Sequence, residues 1–286
     1  MKQKTKGRVL IVSTALLWGL AGVCVKSITW GTMSIITSRS IISLLLILAV
    51  KKSLRVNLSR RNLLGGLALG LTGILYVGAI KLTTAGTAIV LQYVAPILVF
   101  LFEVLFRGKK AKLWEAALTL SVFLGIVLSF LDAIDMTHVL GNVLALLSGL
   151  FYAGQIILMN DPESSSEDCV VIGNVISFLL CLPLALGDPH LSFDARNVIW
   201  VLVQGVFQYG LANILFAKGC KLLDDVECSL LLTIEPVFNP IPVAIFCGER
   251  MGPAAVAGAV VVIVSVTLYA ILPELLARRA TARPPD

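Results

Sequence analysis

Charge is scarce in this chain. Of its 286 residues only 14% are Asp, Glu, Lys or Arg, against 58% hydrophobic, and the mean hydropathy is +0.94. That is too little polar surface to cover a soluble globule of this length, so an integral membrane protein is expected. Site chemistry is equally sparse. The six cysteines, Cys24, Cys169, Cys181, Cys220, Cys228 and Cys247, show no CxxC spacing. Most lie in or beside apolar runs, where they act as small apolar residues, and no disulfide framework is expected. His138 and His190 lie in different loops with no second ligand nearby, which argues against a metal site. No Gly-rich phosphate loop with its lysine is present, which disfavours transport powered by ATP on this chain. No cofactor is expected. A membrane-embedded enzyme would need a clustered acid/base or metal set at one interface, and none is seen. The formal charge of +6 raises nucleic acid as a partner, but the basic residues cluster beside apolar spans, as topology signals do, and form no DNA-binding face.

What is present is a succession of long apolar runs. A helix rises about 1.5 Å per residue, so roughly 20 residues cross a hydrocarbon core of about 30 Å. Ten helices are expected: Val9 to Ser27, Thr32 to Val50, Asn62 to Ile80, Thr83 to Phe106, Leu113 to Leu131, Val139 to Met159, Cys169 to Leu186, Val198 to Ala217, Val226 to Cys247 and Pro253 to Leu272. The first is not a signal peptide: its apolar run is too long, no small-x-small cleavage site precedes Lys26, and further spans follow. The segment Asp132 to His138 joins two halves, residues 1–132 and 137–273, and residues 274–286 form a polar cytoplasmic tail.

The ninth run is the unusual one. Val226 to Cys247 is long enough to cross a bilayer, yet it carries Glu227, Glu235, Pro236, Asn239, Pro240 and Pro242. Each proline lacks a backbone donor and frees a carbonyl one turn earlier. Lipid offers no replacement partner, so this helix must face protein or a hydrated cavity. Burying Glu235 in lipid would cost several kcal/mol, which marks it as a functional candidate.

The same stretch occurs twice. A shift of 140 places sets Lys81 on Lys221, Leu91 on Leu231, Pro96 on Pro236 and Gly108 on Gly248, without a gap. Upstream, Gly65 falls on Gly205. Five spans per half is an odd number, so the two copies lie in the membrane upside down to each other. Loop charges agree. With the N-terminus inside, eighteen of the 23 basic residues fall on cytoplasmic segments and four outside, with Arg39 left inside a span. The bias sets both termini in the cytoplasm. The acidic loop Asn160 to Asp168 is an exception, but acids weigh little in this rule.

Two five-helix repeats, LLWGLAGVCVK at the start, an Arg within helix two, an AxxLTTAG-like approach to helix four, and above all TIEPVFNPIPVAIFCGER resemble the EamA-type members of the drug/metabolite transporter superfamily. The resemblance runs from about Val9 to Leu272. It implies a transporter in the cytoplasmic membrane, an exporter or facilitator of amino acids or other small metabolites. It also implies a central cavity lined by helices one, three, four, six, eight and nine, with five and ten peripheral. Two positions depart from the pattern: Gly108-Lys109-Lys110 stands where a first-half Gly-Glu-Arg would, and Ala95 where Glu235 stands in the second half. Helix one holds no acid, unlike the four-helix multidrug relatives, which weakens polycation export.

The fold expected is therefore an all-α integral membrane protein, ten transmembrane helices arranged as two inverted repeats around a central cavity. Inverted repeats place a substrate site near the midplane, where interrupted helices expose backbone groups. Pro96, Pro236 and Pro240 are the expected helix breaks. Candidate cavity residues are the polar and aromatic side chains at mid-depth: Trp18, Tyr76, Gln92, Tyr93, Tyr152, Gln155, Gln208, Tyr209, Asn213, Glu235 and Asn239. Plainer roles stand beside these. Tyr76 can line a cavity or merely pack, and Gln208 with Gln204, or Asn213 with Tyr209, can tie helices together. Glu235 and Asn239 share a helical face and could meet a substrate amine or hydroxyl. Glu235 can instead pair with Lys26 or Arg39, or exchange protons during transport. Arg39 is expected to be structural, snorkelling outward or pairing with an acid. Asp224, Asp225 and Glu227 are expected to cap helix nine. The partners expected are a small-molecule substrate, the bilayer and, if transport is coupled, protons. A secondary carrier is the leading function; the alternatives are a membrane sensor or assembly partner and, less favoured, a membrane-embedded enzyme.

Overall fold

A computed structural model describes residues 2–247 and 252–281. Gly248, Glu249 and Arg250 of the GER signature, and the last five residues of the tail, lie outside the described residues. Among those described, every regular element is helical. In chain order the helices are α1 (Lys2–Trp18), α2 (Ala21–Ser27), α3 (Thr32–Lys51), α4 (Arg60–Leu82), α5 (Ala85–Gln92), α6 (Ala95–Leu105), α7 (Leu113–Ser129), α8 (Val139–Asn160), α9 (Ser166–Leu186), α10 (Ala195–Val203), α11 (Ala212–Cys220), α12 (Asp225–Leu232), α13 (Ile234–Phe238), α14 (Pro240–Cys247) and α15 (Pro253–Thr281). A π-helical stretch, Gln204–Leu211, joins α10 to α11.

With broken helices counted as continuous, eight stretches among the described residues are long and apolar enough to cross a membrane, and Leu113–Ser129 is a shorter apolar helix. Their starts are written in the sequence as caps. The side chains of Ser59, Thr84, Ser165, Asp194 and Asp224 each accept a hydrogen bond from the backbone N–H three residues on, satisfying a donor the helix leaves open. Gly108, at φ +65°, supplies the left-handed residue beyond the end of α6. The outer surface is apolar: Leu45, Leu105, Leu180 and Val260 are each more than half exposed, as lipid-facing residues are and a water-facing surface of this extent is not.

The helices are interrupted near all three prolines named as breaks, and the first two interruptions are in register between the repeats. The first falls at Tyr93 and Val94, between α5 and α6, and the second at Thr233, between α12 and α13. Each lies just before its proline, Pro96 or Pro236, where the ring opposes the carbonyl of the preceding turn. Pro240 opens a further segment, so the stretch 225–247 is three short helices. The first run also departs from one unbroken helix, beginning at Lys2 and breaking after Trp18.

Packing follows small residues. A Cβ on Gly66 of α4 would lie 2.5 Å from Ile172 Cγ2 of α9, and one on Gly173 would lie 2.5 Å from Leu69 Cδ2. These absences let α4 and α9 touch backbone to backbone. Elsewhere α4 packs on α8, α3 on α9 and the π-helical stretch, α1 on α11 and α12, and α7 on α15.

The end that carries the N-terminus is laced with ion pairs. Glu227 meets Lys4 at 2.7 Å and Arg8 at 2.6 Å. Asp225 meets Arg107 at 2.9 Å and also accepts from Asn160. Of the three acids expected as caps only Asp224 caps, through the Glu227 N–H. Asp225 and Glu227 are 2% exposed, and burial obliges them to pair with cations instead. Lys51 pairs with Asp168, and Arg61 with Asp161 and Glu163. Glu103 pairs with Arg107, while Glu115 reaches Lys109 at 3.6 Å. At the opposite end the α2–α3 turn is tied to the loop before α10: Trp30 Nε1 donates to the Ser192 carbonyl, Thr29 N to Asn197, and Gly31 N and Ser34 Oγ to Asp188.

Candidate functional site

Between these two tied ends, at the helix breaks, lies a cavity of about 110 Å³. Its wall draws on seven of the expected spans. Trp18 and Ala21 flank the α1–α2 break; Leu69, Thr72, Gly73 and Tyr76 come from α4; Gln92 ends α5. The second half contributes Tyr152 and Gln155 from α8, Gln208 and Tyr209 from the π-helical stretch, Asn213 from α11 and Glu235 from α13. Arg39 of α3 completes the lining. No described side chain of α7 or α15 is part of it.

Of the residues the sequence points to, Trp18, Tyr76, Gln92, Tyr152, Gln155, Gln208, Tyr209, Asn213 and Glu235 are therefore brought together. Tyr93 stands one layer behind: 2% exposed, its hydroxyl donates to Glu235 Oε2 at 2.7 Å. This bond crosses between the halves, and Tyr93 is the partner Glu235 finds where Lys26 or Arg39 was expected. Asn239 is not part of the lining. It ends α13 in helical geometry, its N–H donating to the Glu235 carbonyl at 2.9 Å, so the two residues keep the i, i+4 register although only Glu235 reaches the cavity.

Arg39, expected to be structural, meets a ring where an acid or the surface was named. It neither snorkels nor forms an ion pair among the described residues; its guanidinium carbon lies 4.4 Å from the centre of the Tyr209 ring. α3 packs its inner side on the π-helical stretch, which turns Arg39 to the cavity. The lining is thus drawn from helix two as well as from the six helices the resemblance names. A charged side chain inside an apolar span was the available signal, since such residues face the bundle interior.

The cavity wall is polar in a particular way. Trp18 Nε1, Arg39 Nε and Asn213 Nδ2 are buried donors without a hydrogen-bond partner, and Gln208 Oε1 is a buried acceptor without one. Gln208 Nε2 donates to the Trp18 carbonyl at 3.3 Å, so this amide ties two helices together with one atom and leaves the other free. Gln92, by contrast, is held, donating to Ser148 Oγ at 2.8 Å. Buried polar atoms are normally satisfied, and several unsatisfied ones around one void mark a place for water or a ligand. Aromatic rings cluster at the void: Trp18 lies 6.3 Å from Tyr152 and 5.5 Å from Phe216, and Tyr93 lies 6.0 Å from Tyr152.

The model of the EamA-like transporter family matches residues 5–131 and again 139–271. An "Uncharacterized transporter" of Archaeoglobus fulgidus is 25% identical over 266 residues, covering 92% of this chain and 95% of the relative. A solved structure titled "Crystal structure of protein" superposes with a TM-score of 0.81 at 17% identity, over 96% of this chain and 99% of that one, a likeness of fold.

Proposed function

Because the chain belongs to the EamA-like transporter family, we propose that this multi-pass membrane protein is a secondary carrier or facilitator of small metabolites, amino acids or related compounds first among them. The observation that carries this reading is the cavity between the halves, into which unpartnered donors and acceptors converge. A void of about 110 Å³ holds a small metabolite, whereas drug-sized ligands occupy roughly 300–1,000 Å³.

In this proposal the broken stretch 225–247 and the short helix 113–129 join the eight longer stretches as ten spans, and the halves are inverted repeats. The ion-paired end faces the cytoplasm with both termini, as the basic-residue bias requires. Transport proceeds by rocking of the halves, which exposes the cavity to each side in turn. The ion pairs and the aromatic cluster close it toward the cytoplasm in this conformation.

Counterflow into proteoliposomes containing the purified chain tests the proposal. Liposomes preloaded with a mixture of L-amino acids should accumulate the labelled form of at least one from outside, above protein-free controls. Accumulation of none by a folded, correctly inserted protein would reject an amino-acid carrier.

A further inference from the structure

We propose that Arg39 binds the carboxylate of the carried molecule and so restricts the cavity to substrates bearing that group together with a cationic or donor group, a reading that rests on the carrier proposed above. Arg39 brings a permanent positive charge to the cavity. Among the described residues it forms no ion pair, and its buried Nε has no partner. The one carboxylate in the lining, Glu235, is engaged by the Tyr93 hydroxyl. An uncompensated cation in a poorly solvated site is costly. Here the protein supplies only the face of Tyr209 to offset it.

The space around the guanidinium is kept open by an absence. A Cβ on Gly73 of α4 would lie 3.2 Å from Arg39 Nη2, close enough to push the fork back by a few tenths of an ångström. A planar guanidinium matches a carboxylate in two parallel hydrogen bonds. Trp18 Nε1 and Asn213 Nδ2 are further unpartnered donors in the lining, whereas Gln208 Oε1 and Glu235 are acceptors. A cavity offering donors with a fixed cation and also acceptors with an acid suits a dipolar molecule. Glu235 disfavours a dianion such as phosphate, and the small volume limits the occupant to a compact body. Those features together describe a zwitterion, an α-amino acid being the simplest.

The test is counterflow in proteoliposomes with three matched probe series: neutral L-amino acids, the primary amines left when their carboxylate is removed, and the carboxylic acids left when their amine is removed. The parent protein should carry amino acids and discriminate against the amines by at least about 100-fold, as a site built around a buried polar group does. Arg39→Gln should lose amino-acid flux by more than about tenfold while keeping or gaining amine flux, and Arg39→Lys should restore part of it. Gly73→Ala, which leaves the charge in place, should raise KM for amino acids several-fold with a smaller effect on kcat. Equal loss of amino-acid and amine flux in Arg39→Gln, or flux unchanged in both Arg39→Gln and Gly73→Ala, overturns the assignment while leaving the carrier intact. A parent protein that carries none of the three series overturns the amino-acid carrier reading, and this one with it.

Discussion

Asp188 accepts three hydrogen bonds, from the Ser34 hydroxyl and from the N–H groups of Gly31 and His190. The Ser34 bond above all holds its carboxyl below the usual aspartate range. A folded-state pKa below the unfolded one gives stability that is complete above about pH 4, the ordinary aspartate value, and is lost as pH falls through the lower folded value. Thermal unfolding of the detergent-solubilised protein should therefore show midpoints that drop below about pH 4, with a shallower drop in Asp188→Asn; parallel profiles would remove Asp188 from the account. The buried Glu235–Tyr93 pair has a different reach, because Glu235 is the acid of the cavity. Glu235→Gln should abolish any pH dependence of counterflow while still reaching the membrane, whereas a variant whose rate follows pH as the parent's does has no proton-coupling carboxylate there. Glu235 was legible in the sequence because an acid beside Pro236 in an apolar run is too costly to leave facing lipid and must turn to protein or water. Arg39 was seen as a charge inside an apolar span, but that it meets the Tyr209 ring depends on how α3 packs against the π-helical stretch, which the linear sequence does not carry.

The breaks in the helices were the most legible elements, because proline strains the turn before it through local geometry, although Pro183 sits inside α9 without ending it. The interruptions at Tyr93 and at Thr233 follow from Pro96 and Pro236 by the same steric rule in two copies. The π-helical stretch Gln204–Leu211, which places Gln208 and Tyr209 at the cavity, had no such marker. Its widened turn fits Gly205 tightly against Ile42, 2.7 Å from the nearest atom a Cβ would meet, a contact between elements far apart in sequence. Helix contacts of this kind predict opposite outcomes for one kind of substitution. At Gly66 an alanine Cβ would lie 2.5 Å from Ile172 Cγ2 and 3.0 Å from the Cys169 carbonyl. Overpacking costs about 1–3 kcal/mol, more than the roughly 1 kcal/mol that alanine gains in helix propensity. At Gly154 the nearest contact is Ala68 Cβ at 3.9 Å, so the propensity gain should stand alone. Unfolding midpoints should fall for Gly66→Ala and hold or rise for Gly154→Ala, and the same sign for both would refute close α4–α9 packing as the reason for Gly66.

Across the whole molecule, the ion pairs between halves at the N-terminal end have one polarity: Lys4, Arg8, Lys51, Arg61 and Arg107 come from the first half, and Asp161, Glu163, Asp168, Asp225 and Glu227 from the second. The acidic loop after α8, an exception as a topology signal, has its physical reason here. In the proposed inverted arrangement the basic ends of the first half meet the corresponding end of the second, and like charges there would drive the halves apart. Pairing across the halves could not be read from linear sequence, because it depends on which loops the inversion superposes. In the proposed carrier, opening the cavity toward the ion-paired, cytoplasmic end would break these pairs, so weakening them should shift the population toward that state. Cys169, Cys220 and Cys228 lie at this end as buried free thiols, and serve as native reporters. Removing one member of a buried pair costs about 3–5 kcal/mol, and only the part that falls on the closed state relative to the open one moves the equilibrium. Glu227→Gln, and separately Asp168→Asn, should raise the rate of maleimide labelling of these thiols from the cytoplasmic side by about tenfold or more, under conditions where thermal unfolding shows each variant folded. Labelling as slow as in the parent for both folded variants would mean that the clasp does not hold the cytoplasmic side shut, and that closure rests on the ring contacts of Trp18, Tyr152 and Phe216 alone.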